Sequence, residues 1–483
     1  MHATLFIALP LLFAFATPFL GKFGKNAVAY TSTLLHLFLL FLALNLLTHT
    51  PLHVEVISIA PPLGIAFVLD KASLLFVGLF TLLMALFSLY YLGHRETTPY
   101  KQESKFFILL HMLLAASIGL VLSSDIFNIY VFFEIAGISA YILSSYQKTP
   151  LALEAGVKYL LTGAIASLFL LFAIMLIYLY IGSLQLAVIA QNFEILPHNI
   201  KLLISIFLLI GFGFKVEIFP LNFWVSDVYQ GSSTLTNALF SGIVVKAYLF
   251  VFFHTLYLFL PNGEFTLFLV YLGAASMLVA EVAGLRQTNL KRLFAYSSLG
   301  QVALIFTAFA LQNKEAIQAA LFLVITHSLA KFAIFLALAS IKKAHKSAQI
   351  ETLKELNSPF LRVSLLIAML SLLGIPLFGG FIGKFLLLKS LALEGLFGVL
   401  ALILFASLIE SLYYFKLTGF MLHKGEKKSA ILLSFGQKSV FILLSFLLIF
   451  LGSAPFFFWT PLGEAAQVML DAQAYIAQLL GAK

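Results

Sequence analysis

Not one cysteine occurs in the 483 residues of this chain. That excludes thiolate-held iron–sulfur clusters, thiolate zinc and disulfides, so redox chemistry within the chain would need a haem or a bound quinone. Charge is scarce too. Asp, Glu, Lys and Arg make up 10% of the residues, against about 25% in a soluble protein. Hydrophobic residues supply 62%, arranged in runs of about 18 residues or more that can each cross a hydrocarbon layer of about 30 Å. Ala3–Leu20, Ala27–Leu47, Leu74–Leu92 and Val440–Phe458 are examples. The first run lacks a basic leading segment and a cleavage site, and reads as a retained helix rather than a signal peptide. The net charge of +9 is spread through connecting loops, which argues against nucleic acid as a partner.

The hydropathy pattern predicts an all-α integral membrane protein with about fourteen transmembrane helices, at 3–20, 27–47, 72–92, 106–123, 126–146, 155–181, 202–219, 234–260, 266–284, 293–311, 316–341, 363–378, 396–420 and 439–458. No strands are expected, which leaves no setting for a P-loop or dinucleotide fingerprint. The loops after helices 1, 3, 5, 9, 11 and 13 hold most of the basic residues: Lys22, Lys25, Arg95, Lys101, Lys105, Lys148, Arg286, Lys291, Arg292, Lys342, Lys343, Lys346, Lys354, Arg362, Lys424, Lys427, Lys428 and Lys438. The opposite side holds Lys71, Lys201, Lys314 and Lys483. This imbalance puts both termini on the non-cytoplasmic side of a prokaryotic cytoplasmic membrane.

Two helices are interrupted. The seventh breaks at Pro220, with a short segment Asn222–Tyr229 before the eighth. The twelfth breaks at Gly374-Ile375-Pro376 and Gly379-Gly380, then resumes through Phe381–Leu391. Such breaks are tolerated only inside protein or beside a wet cavity. Their equivalent places suggest two inverted five-helix repeats, helices 4–8 and 9–13, with the transport site near the interruptions. The division expected is 1–105 for helices 1–3, 106–260 for the first repeat, 266–420 for the second, and 437–483 for the last helix and tail, all within one membrane domain. After Pro461 a short amphipathic stretch, Leu462–Leu480, is expected to lie on the surface without a long lateral helix.

Against this apolar background stand a few intramembrane charges. A charge at the bilayer centre costs roughly 2.5–3.5 kcal/mol, and such groups mark ion or proton paths by default. Glu134 lies more than two turns into the fifth helix, in Asp125-Ile-Phe-Asn-Ile-Tyr-Val-Phe-Phe-Glu134. Lys215 precedes the first break, in Gly211-Phe-Gly-Phe-Lys215-Val-Glu217-Ile-Phe-Pro220. A Glu134–Lys215 pair would act as a two-position switch: with the carboxylate close the lysine keeps its proton, and with it withdrawn the lysine lets go. A fixed ion pair, or Glu217 as the partner of Lys215, is the alternative. Lys246 sits in the middle of the eighth helix. His327 and Lys331 are four residues apart and share one face of the eleventh, where a histidine can relay protons near neutrality. Lys384 follows the Gly-Gly break; its alternative reading is a lysine snorkelling at a helix end. Lys158, four residues after Glu154, fits either a proton path or a local surface pair. Glu281 and Glu410 are further intramembrane carboxylates, suited to an exit group or a subunit contact. His36, His111, His254 and His327 lie on different helices without ligand spacing, so no metal, haem or other cofactor is expected.

Four stretches also resemble a known family. Lys215 through Asp227-Val-Tyr-Gln-Gly231, with Pro220 and Trp224, resembles the broken seventh helix of the antiporter-like subunits of respiratory complex I. Lys158-Tyr-Leu-Leu-Thr-Gly-Ala-Ile-Ala-Ser167 resembles their sixth helix, Asn289-Leu-Lys-Arg-Leu-Phe-Ala-Tyr-Ser-Ser298 the start of their tenth, and Gly374-Ile-Pro376 through Gly380-Phe-Ile-Gly-Lys-Phe385 their twelfth. These matches span most of 106–420. Helices six, seven and twelve look like the subunit N type. The Asp125–Glu134 stretch and the His327/Lys331 helix are more similar to Mrp-type cation/proton antiporter subunits and to membrane-bound hydrogenase subunits.

The resemblance implies a proton-translocating module without a redox centre of its own, working among other membrane subunits, including neighbouring antiporter-like ones. It carries proton transfer onto Glu134, Lys215, Lys246, His327, Lys331 and Lys384, with Lys158, Glu281 and Glu410 as secondary candidates. A proton on one cationic site makes a proton on the next less favourable, so a pull on Glu134–Lys215 would propagate along the row. An Mrp-type Na+/H+ antiporter subunit without redox chemistry, and a non-pumping membrane scaffold, are the alternatives.

Overall fold

The computed structural model describes residues 3–24, 26–49, 53–57, 64–94, 100–261, 263, 265–422 and 431–481. The loop charges Lys25, Arg95, Lys424, Lys427, Lys428 and Lys483 lie outside these. Helices dominate, because in a bilayer the backbone must satisfy its own hydrogen bonds. Fourteen spans follow the expected order: Leu5–Leu20, Ala27–His49, Lys71–His94, Tyr100–Leu122, Ile126–Ser145, Pro150–Ile181, His198–Lys215, Thr234–Phe259, Thr266–Leu285, Leu290–Ala310, Lys314–His345, the interrupted Pro359–Leu373 and Gly379–Leu393, then Phe397–Leu422 and Phe435–Ser453. Among the described residues thirteen are long and apolar enough to cross a membrane, and the twelfth is split into two 15-residue helices.

Polar side chains start these helices. Asp125, Thr149, Asn289, Asn313, Ser358 and Ser434 each accept a hydrogen bond from a first-turn N–H, satisfying donors that the helix leaves unpaired. The cap positions also betray an internal duplication. An isolated bridge pairs Asp125 with Gln185, and a second pairs Asn289 with Gln349, shifted along the chain by one interval (289 − 125 = 349 − 185 = 164). The 32-residue sixth and eleventh spans, starting at Pro150 and Lys314, obey the same offset.

Three elements differ from the sequence reading. Between the second and third spans His53–Ile57 pairs antiparallel with Ile65–Leu69, with His53 opposite Leu69 and Ile57 opposite Ile65. This corrects the expectation of no strands: the β-branched alternation of so short a stretch is masked by the hydropathy around it. A short helix, Leu186–Phe193, precedes the seventh span. The tail helix begins at Phe456, runs through Pro461 to Leu470, and is followed by Ala472–Leu480. It packs on the third, eighth and eleventh spans and on Leu186–Phe193, held by Gln318 Nε2 donating to the Trp459 carbonyl (2.8 Å) and by Lys71–Glu464 (2.8 Å).

Burial is uneven. The tenth and eleventh spans are almost wholly enclosed, whereas the sixth turns a full face outward.

Candidate functional site

The seventh span stops at Lys215, and the chain turns through the non-helical stretch 216–224 before the helix Val225–Gly231. This places the buried Lys215 side chain among the fifth, sixth and eighth spans. Its ammonium donates to the Tyr141 hydroxyl (2.6 Å) and lies 4.6–5.6 Å from the ring centres of Phe133, Tyr141, Tyr159 and Tyr248. Aromatic faces attract a cation, each by about 0.5–2 kcal/mol. Gly137 and Gly163 make room for this arrangement: a Cβ at Gly163 would stand 1.8 Å from the Tyr141 oxygen and 3.1 Å from Lys215 Nζ, and one at Gly137 3.3 Å from Nζ.

The expected Glu134–Lys215 contact is not made. No ion pair within 4 Å joins them; Tyr141 takes the direct bond while Glu134 acts on Lys215 through its field. Glu134 instead accepts from the Ser167 hydroxyl, which also meets Tyr130 (3.2 Å). It is half-buried on a stripe of the fifth span whose other members, Phe127, Val131, Ile138 and Ile142, are exposed. The stripe follows helical spacing, so Glu134 sits on the outward side of the chain.

From Lys246 onward the groups form bonded clusters that lie side by side along the chain of spans. The eighth span widens into a π turn at Phe240–Val244, a device common at functional sites, just before Lys246. Lys246 is fully buried; its Nζ donates to the Ser241 carbonyl and shares a 2.5 Å hydrogen bond with His327 Nδ1. His327 Nε2 reaches Ser298 Oγ (3.2 Å). The preceding residue, Ser297, accepts from Lys331 Nζ (2.6 Å) and meets the Tyr414 hydroxyl (2.6 Å). Tyr413 donates to Glu281 (2.7 Å). One turn earlier on the same thirteenth span, Glu410 pairs with Lys384 (2.9 Å) and accepts from Gln301 Nε2 (2.6 Å). Lys384 is thus not a lysine snorkelling at a helix end but one member of a buried ion pair.

Lys158 stands apart. It pairs with Glu154 and Asp227 (both 2.6 Å), and Asp227 also binds Arg292 (2.5 Å). This partly exposed cluster ties the sixth span to the break and to the tenth span. Lys291, read from sequence as a loop charge, is buried at the head of the tenth span and donates to the Gln230 (2.6 Å) and Ser232 carbonyls. It pins the second repeat to carbonyls beyond the break of the first.

Tyr141, the Ser297-Ser298 pair, Tyr413, Tyr414 and Gln301 were not picked out from sequence. For Tyr141 a signal existed: Glu134, Gly137 and Tyr141 are spaced three and four residues apart on one helical face. Hydroxyls mid-span carry no such mark, since Ser and Thr commonly bond their own helix. His36 and His111, far apart in sequence, stack edge-on with ring centres 5.2 Å apart, and His36 bonds Ser88 (2.6 Å). Among the described residues no group of three or more His, Asp or Glu converges to hold a metal ion.

Comparison with known proteins agrees with this architecture. Residues 123–410 match the transmembrane family described as NADH:quinone oxidoreductase/Mrp antiporter. NADH-quinone oxidoreductase subunit N 2 of Symbiobacterium thermophilum is 34% identical over 333 residues, covering 64% of this chain and 66% of that relative. F(420)H(2) dehydrogenase subunit N of Methanosarcina mazei is 27% identical over 423 residues, 83% of this chain and 84% of its own length. A chain of the membrane-bound sulfane sulfur reductase, an archaeal respiratory membrane complex, superposes with a TM-score of 0.92 at 32% identity over 99% of both chains. With more than half its length matched, the chain belongs to the NADH:quinone oxidoreductase/Mrp antiporter family of membrane proteins.

Proposed function

We propose that this chain translocates protons as one subunit of a multi-subunit respiratory membrane complex. The observation that carries the reading is the buried series Lys246–His327–Ser298, Lys331–Ser297–Tyr414 and Lys384–Glu410, drawn from five spans of a protein in which charge is rare. Each group accepts and releases protons, and the hydroxyls between them relay.

Access from one face has a structural counterpart. A cavity of about 860 Å³ opens beside the ends of the third and fifth spans, lined by Lys105, Lys148 and Ser233 among others. From Ser233 a ladder of polar contacts descends the eighth span: Ser233 to Thr236 (3.1 Å), Ser241 Oγ to the Asn237 carbonyl (2.9 Å), and Lys246 to the Ser241 carbonyl. The loops on this face are the basic ones, so we assign it to the cytoplasm and both termini to the opposite side. Residues 106–260 and 266–420 then act as the two repeats, with 1–105 and 437–483 as flanking helices. The outward position of Glu134 suits a neighbouring antiporter-like subunit that pulls on it. Electron-carrying cofactors belong to partner subunits, and Na+ is an alternative passenger. An Mrp-type antiporter is the second reading, favoured by the likeness of the fifth and eleventh spans.

Lys215→Ala and Glu134→Ala, made in the assembled complex, test the proposal. Loss of an essential proton carrier costs about 10²-fold or more, so proton uptake into sealed vesicles falls to background in Lys215→Ala and drops steeply in Glu134→Ala. Full pumping in both defeats the reading. The co-purifying subunits of the native complex decide between a redox pump and an antiporter.

A further inference from the structure

The row of bonded clusters begins only at Lys246. No hydrogen bond or ion pair among the described residues links Lys215 to Lys246. A buried carboxyl stands near that interval: Glu217, two residues past Lys215, in the break of the seventh span. It is 3% exposed, and its Oε2 has no hydrogen-bond partner among the described residues. Its backbone holds a left-handed φ of 61°, a conformation that a residue with a long side chain rarely adopts. The break, not local preference, therefore sets where this carboxyl points, and such outliers gather at functional sites.

The surroundings agree. Glu217 lies within electrostatic range of Lys246, Tyr159 and Tyr229. Tyr159 is one of the rings around Lys215 and stacks on Trp224 at 4.3 Å. Trp224 Nε1, the Tyr229 hydroxyl and Asn237 Oδ1 are likewise buried without a hydrogen-bond partner among the described residues. Buried polar atoms of this kind hold water. A carboxylate serving only as a fixed counter-charge would be paired, whereas Glu217 forms no ion pair within 4 Å among the described residues and its Oε2 stays unbonded.

We propose that Glu217 is the proton carrier between Lys215 and Lys246. The proposal rests on the conduction reading above. The Lys215 ammonium releases a proton; the Glu217 carboxylate takes it and becomes a carboxylic acid; the acid then gives it to the neutral amine of Lys246 and returns to the carboxylate. Each transfer moves one proton and consumes nothing else. Water held at Trp224, Tyr229 and Asn237 spans the distance.

The test is Glu217→Gln, which keeps size and backbone demand but cannot carry a proton, beside Glu217→Asp, Lys215→Ala and Lys246→Ala in the intact complex. Glu217→Gln is expected to slow proton flux about tenfold or more with assembly preserved, and Glu217→Asp to restore much of it. Infrared difference spectra during turnover should show a carboxylic-acid band that shifts in Glu217→Asp. Full flux in Glu217→Gln while both lysine variants are dead overturns the role of Glu217 alone. Full flux in all three overturns the conduction reading as well. Should Glu217→Gln fail to assemble, the infrared band decides, and its failure to shift in Glu217→Asp overturns the proposal.

Discussion

The two broken spans each carry a lysine at the break, and the two lysines are held in opposite ways. Lys215 faces four aromatic rings and one hydroxyl, with no carboxylate within 4 Å. Lys384 has a carboxylate at 2.9 Å, itself fixed by Gln301. An ion pair holds a charge against a fixed counter-charge, whereas ring faces and a hydroxyl attract the ammonium without one. The two breaks thus hold their lysines by different means, one by rings and a hydroxyl, the other by a carboxylate.

The largest effect expected from breaking this contrast is at Lys384. Glu410→Gln leaves Lys384 buried without its counter-ion, and removing one partner of a buried pair costs about 3–5 kcal/mol. The thermal midpoint and yield of the complex should fall clearly, and the double variant Lys384→Met/Glu410→Leu should recover most of the loss. A single variant that melts like the parent shows that the pair does not anchor Lys384. Beside Lys215, Tyr141→Phe keeps the ring and deletes the hydroxyl. A hydrogen bond to a charged group is worth about 1.5–3 kcal/mol, so proton flux should change by about tenfold with assembly intact; unchanged flux would mean that the aromatic cage alone positions Lys215. The smallest effect is expected at Lys158, whose partly exposed pairs contribute about 0–1 kcal/mol. Lys158→Ala should leave flux and melting nearly unchanged, and a dead variant would move Lys158 onto the path.

Much of this was legible in the sequence for a plain physical reason: lipid forces long apolar helices, and charges within them stand out. Hence the order of the spans, the two breaks, and the buried charges Lys246, His327, Lys331 and Lys384. What escaped depends on contacts between distant segments. Tyr141 intercepts Lys215 because Gly137 and Gly163 leave space on two different helices, and no local pattern announces that. Lys291 sits close enough to a basic loop to pass for part of it, yet its ammonium is taken up by carbonyls some sixty residues away. The hairpin at His53–Leu69 is too short for its period-2 pattern to rise above the surrounding hydropathy.

The tail helices, pressed on the third, eighth and eleventh spans, bear on how the molecule moves. Transporters built from inverted repeats commonly alternate access by rocking one half against the other. Here a strap crosses both halves on one face, so rocking would have to shear it. On the proposed conduction reading, gating falls to rotamers and to the wetting and drying of short gaps, motions small enough to avoid opening a leak.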